Sequence, residues 1–367
     1  MQFVTDQRTL LKELNFLQGV IEKRATIPVL GHLLIEAESN RLRLQATDLD
    51  LSLTTACEAA VAGKGSLCVP AKKLHEIVKS LPPAKVIFKV EENCVLHLTC
   101  ERARFKLNGI GRDQFPDVPT APAMAAQLPA AQLRQIIART LFAAADQDSR
   151  YSINGVKLEL ADSHLRMVAT DGHRLSLVEV NGVFGKELAI DAIIPRKAVG
   201  ELARIAIDAD GEIGFAVTEN HVFFEAGQRR MAARRLAQNF PNYELVLPKE
   251  NTRHLELDTN ETAAALRRVA LMADNRTHGI SLGIKTGQLT LSSQASDAGE
   301  AGEMLEAGYD GEEVNTACSA TYLQDFLSVA GSDRVRLELK DANTQFCLRP
   351  VEAGGINFTY VLMPIRM

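Results

Sequence analysis

Two spacings of apolar residues take turns along the chain. Leu10, Leu14, Leu17 and Ile21 recur at helical spacing. So do Leu133, Ile136, Ile137 and Leu141, and again Leu266, Val269, Ala270 and Ala273. A second set of helical stripes follows each of these: Leu74, Ile77, Val78 and Leu81; Val199, Leu202, Ala203 and Ala206; Leu323, Phe326, Leu327 and Ala330. Pro82-Pro83 and Gly331 are stop signals after two of them. Between the helices the period drops to two, as in "RLRLQATDLDLSL", "VIFKVEENCVLHLTCERARFKL", "KLELADSHLRMVAT" and "RVRLELKDANTQFCLRP". That alternation predicts half-buried strands.

The pattern repeats as a whole. "LRLQATD" begins at Leu42 and "LRMVATD" at Leu165, 123 positions later, and a weaker copy, "LTLSSQASD", begins at Leu289. "VPAKKLHEIVKSLP" and "IPRKAVGELARIA" lie 125 positions apart, as do "FPDVP" and "FPNYELVLP". This period is far longer than that of a solenoid, so each unit is a whole domain. The expected fold is α+β: three similar domains in tandem, 1–122, 123–246 and 247–367, each with two helices packed on antiparallel sheet. Loops rich in Pro, Asn and Asp near residues 116–124 and 241–251 are the expected joints.

Length and charge narrow the function. The chain has 367 residues and a formal net charge of -5, which argues against an indiscriminate basic nucleic-acid binder. None of the six cysteines, Cys57, Cys68, Cys94, Cys100, Cys318 and Cys347, forms a CxxC pair, so reduced thiols in a cytosolic protein are expected. No apolar run is long enough to span a bilayer and no signal sequence opens the chain, so a cytoplasmic location and no membrane partner are expected. No cofactor or metal site is expected, because nucleophile elbow, phosphate loop and metal-ligand spacing are all missing.

The polar helix faces are mostly basic. The first helices offer Lys12, then Arg134 and Arg139, then Arg267 and Arg268; the second helices offer Lys72, Lys73 and Lys79, then Arg196, Lys197 and Arg204. One such face is an ordinary solvated surface. Its recurrence points to a lining that holds phosphates without reading sequence. Asp171 and His173 resemble an acid/base pair, which keeps an enzyme reading open. The first unit repeats "ATD" without the Gly-His, which favours architecture. Asp48 and Asp50 are expected to share a strand face. A scaffold of three peptide-binding domains is a third reading.

The threefold repeat, with "RATIPVLG", "RYSINGV", "VATDGHRLSL", "IIPRKAV", "FPNYELVLP" and "YVLMPIRM", resembles the beta sliding clamp of bacterial DNA polymerase III from end to end. The resemblance implies a ring-shaped head-to-tail homodimer around duplex DNA, a processivity factor without its own active site. It implies DNA contacts at Arg24, Gln147, Arg150, Tyr151, Arg196 and Lys197, with Ser152 where a second tyrosine can occur. It implies a pocket for short linear motifs of the DNA polymerase III catalytic subunit, the clamp loader, other DNA polymerases, and mismatch-repair and ligase proteins. The matching pocket residues are Ile153, Thr170, Gly172, His173, Arg174, Leu175, Pro241, Leu245, Val246, Tyr322, Val361, Met363, Pro364, Ile365 and Arg366; an arginine can occur in the family at Leu245. The implied dimer interface joins Lys73, Arg102, Arg104, Phe105 and Leu107 to Leu271, Met272, Glu300 and Glu303. The basic "ERARFKL" and the acidic "SDAGEAGEMLE" fit such a head-to-tail register.

Overall fold

The computed structural model describes residues 1–21, 27–161, 164–182, 184, 190–295, 299–352 and 354–365. Six α-helices occur among them: α1 (Gln7–Leu17), α2 (Ala71–Ser80), α3 (Ala130–Thr140), α4 (Arg196–Asp208), α5 (Thr259–Val269) and α6 (Ala320–Val329). Each third of the chain therefore supplies two. Carboxylates stop fraying where α1 and α5 begin: Asp6 accepts from the Arg8 N–H at 3.0 Å, and Asp258 from the Glu261 N–H at 2.8 Å. Leu10, Leu14 and Leu17 of α1 are buried, as the stripe requires. Leu141 and Ala270 lie instead in 3-10 turns, Leu141–Ala143 and Ala270–Met272, that follow α3 and α5.

Two compact units form, and they cut through the middle third: 1–131 with 200–235, and 132–199 with 236–367. The reason is sheet pairing. In the first unit an eight-stranded antiparallel sheet joins four strands of the first third to four of the second. The joint is the pair Leu51–Glu58 and Arg229–Arg234, with Leu53 opposite Met231. In the second unit another eight-stranded sheet joins four strands of the second third to four of the last. Its joint is Arg174–Asn181 against Asn357–Leu362, with Ser176 opposite Tyr360. Each joint pairs the return strand of an "ATD" hairpin with the last strand of the following domain. The first unit also holds a five-stranded sheet ending at Ala103–Asn108, and the second a four-stranded sheet ending at Gly299–Glu306.

The repeated "ATD" is a turn. Asp48 Oδ1 accepts from the Asp50 and Leu51 N–H groups at 3.1 and 2.7 Å, and Thr47 Oγ1 accepts from the Leu49 N–H at 3.0 Å. In the second copy Asp171 Oδ1 accepts from His173 and Arg174 at 2.9 and 3.1 Å, and Thr170 Oγ1 from the Gly172 N–H at 3.1 Å. Asp48 and Asp50 thus sit in a turn and not on a strand face. Self-capping by Thr and Asp in place of strand continuation is the physical reason.

A second departure concerns Arg139. The stripe places it on the polar face of α3, but it is 9% exposed. Its Nε and Nη2 each donate at 3.2 Å to the carbonyls of Val329 and Ala330 at the end of α6, where a cation suits the helix dipole. Cys94, expected in a strand, occupies a turn with φ 63.

In the first unit a buried ion pair fastens α1. Arg229 Nε donates to Glu13 Oε2 at 3.2 Å, Arg229 Nη1 to Asp208 at 2.6 Å, and Thr55 Oγ1 to Glu13 at 2.5 Å. The guanidinium lies 4.7 Å from the Phe16 ring centroid. Glu13→Ala removes the buried carboxylate beside that guanidinium and leaves it only the half-exposed Asp208. We expect a loss of about 3 kcal/mol in urea unfolding, partly recovered by adding Arg229→Met.

Candidate functional site

A cavity of about 260 Å³ opens in the second unit. Its lining is Arg150, Ser152, Ile153, Thr170, Gly172, Arg174, Leu175, Pro241, Asn242, Tyr243, Val246, Val361 and Met363. The floor comes from the sheet joint, where Leu175 and Val361 are directly opposite. Beneath it Val168, Leu175, Leu177, Tyr243, Cys347 and Val361 pack as one core cluster, with Phe240, Val246 and Leu247 against it. Burial pushes the Cys347 thiol up to about 12, so it acts as a small apolar side chain.

One wall is a loop, residues 240–247, containing the 3-10 turn Tyr243–Leu245. It holds its position through Tyr243. The ring meets Phe240 edge-on at 6.4 Å, and the hydroxyl donates to Glu159 at 2.8 Å. Burial and the Glu159 carboxylate keep the phenol protonated, with a pKa above its ordinary value. The opposite wall is the "TDGHR" turn. Gly172 has φ 91, and a Cβ there would come within 2.9 Å of Arg150 Nη1. Glycine is therefore favoured on two counts, although the arginine end could shift.

Arg174 anchors this turn from below. It donates to Asp171 at 2.9 Å, to Asp325 at 2.6 Å and to the Phe142 carbonyl at 2.8 Å. Its guanidinium lies 4.2 Å from the Tyr322 ring centroid. Tyr322 and Asp325 are one turn apart on α6, so a single helix face offers both contacts. Burial works against the charge, yet Tyr360, Asp325 and Asp171 hold the guanidinium above its ordinary pKa. Asp171 is fully engaged by Arg174 and the His173 N–H, and the exposed His173 bonds through its carbonyl to the Met363 N–H at 3.0 Å. Nothing here resembles an acid/base pair. No group of three or more possible metal ligands occurs among the described residues.

The structure brings together most of the expected pocket residues: Ile153, Thr170, Gly172, Arg174, Leu175, Pro241, Val246, Val361 and Met363. Leu245 is 75% exposed beside the opening. Tyr322 lies under Arg174. Ile365 donates its N–H to the Ala317 carbonyl at 2.9 Å and is not among the lining residues, nor is Pro364. Arg366 and Arg24 lie outside the described residues. Ser152, Asn242 and Tyr243 were missed; the aromatic pair in "FPNY", three residues apart, was the available signal.

The expected DNA contacts are placed differently from one another. Arg150 grips Asp148 with two bonds of 2.9 and 2.8 Å and joins the cavity rim. Gln147 is exposed, with φ 58. The Tyr151 side chain is outside the described part. Arg196 donates to the Ala144 carbonyl, and Lys197 is exposed on the first turn of α4. Exposed Lys12, Arg134, Arg267, Lys72, Lys79 and Arg204 complete the basic helix faces.

Of the expected interface residues, Arg104, Phe105 and Leu107 lie on the edge strand Ala103–Asn108, and Arg102 in the turn before it. Glu300 and Glu303 lie on the edge strand Gly299–Glu306. Leu271, in the turn after α5, is 82% exposed, and Met304, which the sequence reading passed over, is 67% exposed. Met272 neighbours Gly299, and Lys73 pairs with Glu76 at 2.8 Å.

Three tandem repeats that share sheets across their joints, with basic helix faces and an apolar cavity, define a clamp-type binding protein. Models of the DNA polymerase III beta subunit match in order: the N-terminal domain at residues 1–119, the central domain at 127–242 and the C-terminal domain at 244–366. The beta sliding clamp of Pseudomonas putida is 35% identical over 370 residues, covering all of both chains. That of Caulobacter vibrioides is 32% identical, again over the full length of both. The crystal structure of DNA polymerase III subunit beta from Pseudomonas aeruginosa superposes with a TM-score of 0.95 at 33% identity, covering all of both chains. A sliding clamp from Bartonella birtlesii bound to griselimycin gives 0.95 at 31%, also over the full length of both chains. The chain belongs to the DNA polymerase III beta subunit family, the beta sliding clamps, and its role is that of a replication clamp and not of a catalyst. No helix among the described residues is long and apolar enough to cross a membrane.

Proposed function

We propose that two copies close head to tail into a ring around duplex DNA in the cytoplasm, and that the cavity receives short apolar peptide motifs of replication and repair partners. The observation that carries the ring is the unfinished sheet at each end of the chain. Two joints already pair a hairpin return strand with the last strand of the next domain. The third hairpin's return strand, Gly299–Glu306, and the first domain's last strand, Ala103–Asn108, are both sheet edges. An exposed edge seeks a partner strand. Pairing these two across copies repeats the same joint a third time, and a heterologous contact of this kind closes when its rotation allows.

The existing joints also set the register. Leu53 faces Met231, and Ser176 faces Tyr360. Their counterparts are Ala301 and Phe105, which puts Glu300 opposite Lys106. Arg104 on one strand, Arg102 in the turn before it, and Glu303 on the other strand extend the charge match. Lys106→Cys with Glu300→Cys should therefore give a disulfide-linked dimer under mild oxidation on a denaturing gel. Lys106→Cys with Gly302→Cys, two residues out of register, should not.

A ring holds DNA by topology, so weak contacts from exposed basic helix faces suffice. Loaded by its clamp loader, the protein is expected to stay on nicked circular DNA and to leave once the DNA is linearised. Equal release from both would refute the ring.

For the cavity, an apolar floor with a few polar groups at the rim suits one or two apolar anchor side chains. Gly172→Leu introduces, at the cavity mouth, the side chain that the first domain carries at position 49. It should weaken a labelled apolar peptide by about tenfold or more, read by fluorescence anisotropy, and leave dimerisation unchanged. Unchanged peptide affinity would remove the cavity as the docking site.

A further inference from the structure

The repeat that supplies the strand joint also supplies a helix contact. Arg139 is the next-to-last residue of α3, and a 3-10 turn follows at once. Its guanidinium caps the end of the next domain's second helix, donating to Val329 and Ala330. Arg268 holds the same place: next to last in α5, with the 3-10 turn Ala270–Met272 directly after it. The helix corresponding to α6 is α2. Both have ten residues, and each follows a six-residue strand and precedes another, Gly65–Pro70 and Lys85–Val90 for α2, Val314–Ser319 and Arg334–Leu339 for α6. On that correspondence Val329 and Ala330 match Ser80 and Leu81.

The two halves of this contact are available. No hydrogen bond onto the Ser80 or Leu81 carbonyl occurs among the described residues. Arg268 is 59% exposed at its side chain and rests on Glu303, to which its Nε donates at 2.9 Å. Glu303 is itself on the edge strand assigned to the neighbouring copy. At the first joint Phe16 stands in the Arg139 position, under the Arg229 guanidinium, so the chain uses two solutions there. Arginine at 268 follows the second.

We infer that Arg268 of one copy caps the C-terminal end of α2 in the other, donating to its last carbonyls around Ser80 and Leu81. Guanidinium donors satisfy orphan carbonyls and meet the negative end of the helix dipole. The contact rests on the ring reading and adds a helix-to-helix tie beside the strand pairing.

The test is the dimer dissociation constant, measured by sedimentation over a dilution series for the intact chain and for Arg268→Ala, each alone and with Glu303→Gln. Thermal unfolding confirms that each variant is folded. Capping predicts that Arg268→Ala raises the constant by about tenfold or more in both backgrounds, with Arg268→Lys between. An unchanged constant overturns the inference. An effect present only with Glu303 intact also overturns it, because Arg268 would then act through that carboxylate. A parent chain that stays monomeric at every concentration instead refutes the ring, a distinguishable result.

Discussion

The structure depends on one constraint: a β-strand with a free edge leaves a row of backbone donors and acceptors unpaired. Each domain has two such edges of the kind that meet at the joints, the hairpin return strand and the final strand. Pairing unlike edges of successive domains consumes four of the six in this chain. The compact units therefore cut through the middle third, since backbone pairing is stronger across each joint than the domain succession suggests. The two remaining edges, one basic and one acidic, lie in the first and last domains. Their opposite charges select unlike pairing, so self-association of two identical edges is disfavoured.

Much of this was legible because it is periodic. Six helical stripes, four alternating blocks and the shared "ATD" fix helix count, fold class and triplication without contacts. Arg139 was misplaced because a stripe reports only which side of a helix is apolar. Nothing in it shows that the end of α6 needs a donor there. Asp48 and Asp50 were read into a strand because period-two alternation runs straight through a turn whose hydrogen bonds come from its own side chains. Most of the cavity followed from the family resemblance. Tyr243 and Asn242 did not, because the loop that carries them has no period, and only the bond to Glu159 shows why it stays in place.

The charge pattern fits a protein that must hold DNA without gripping it. Cations on the helix faces are partly neutralised locally, Arg204 by Glu201 at 2.9 Å and Lys73 by Glu76 at 2.8 Å. Such exposed pairs contribute little to stability. Their effect is on the field, which they soften, so phosphates are attracted weakly along a whole surface and not trapped at points. A net charge of -5 is compatible with that arrangement in the proposed ring, which would retain the duplex by topology and not by affinity.

The two copies of the Thr-Asp turn show how one joint acquires a ligand cavity. Both need a left-handed residue in third position: Leu49 has φ 80 and Gly172 has φ 91. Left-handed backbone costs a residue with a Cβ about 1 kcal/mol, so glycine is the easier choice at both. The first turn nevertheless carries leucine, half exposed. In the second, a Cβ would strike Arg150, which Asp148 and the Asp171 carbonyl already hold in place. Removing the side chain there lets Arg150 come down onto the turn as a polar rim and leaves the floor of Leu175 and Val361 open. The architecture is common to both joints. The opening comes from one missing side chain and from the arginine that occupies its margin.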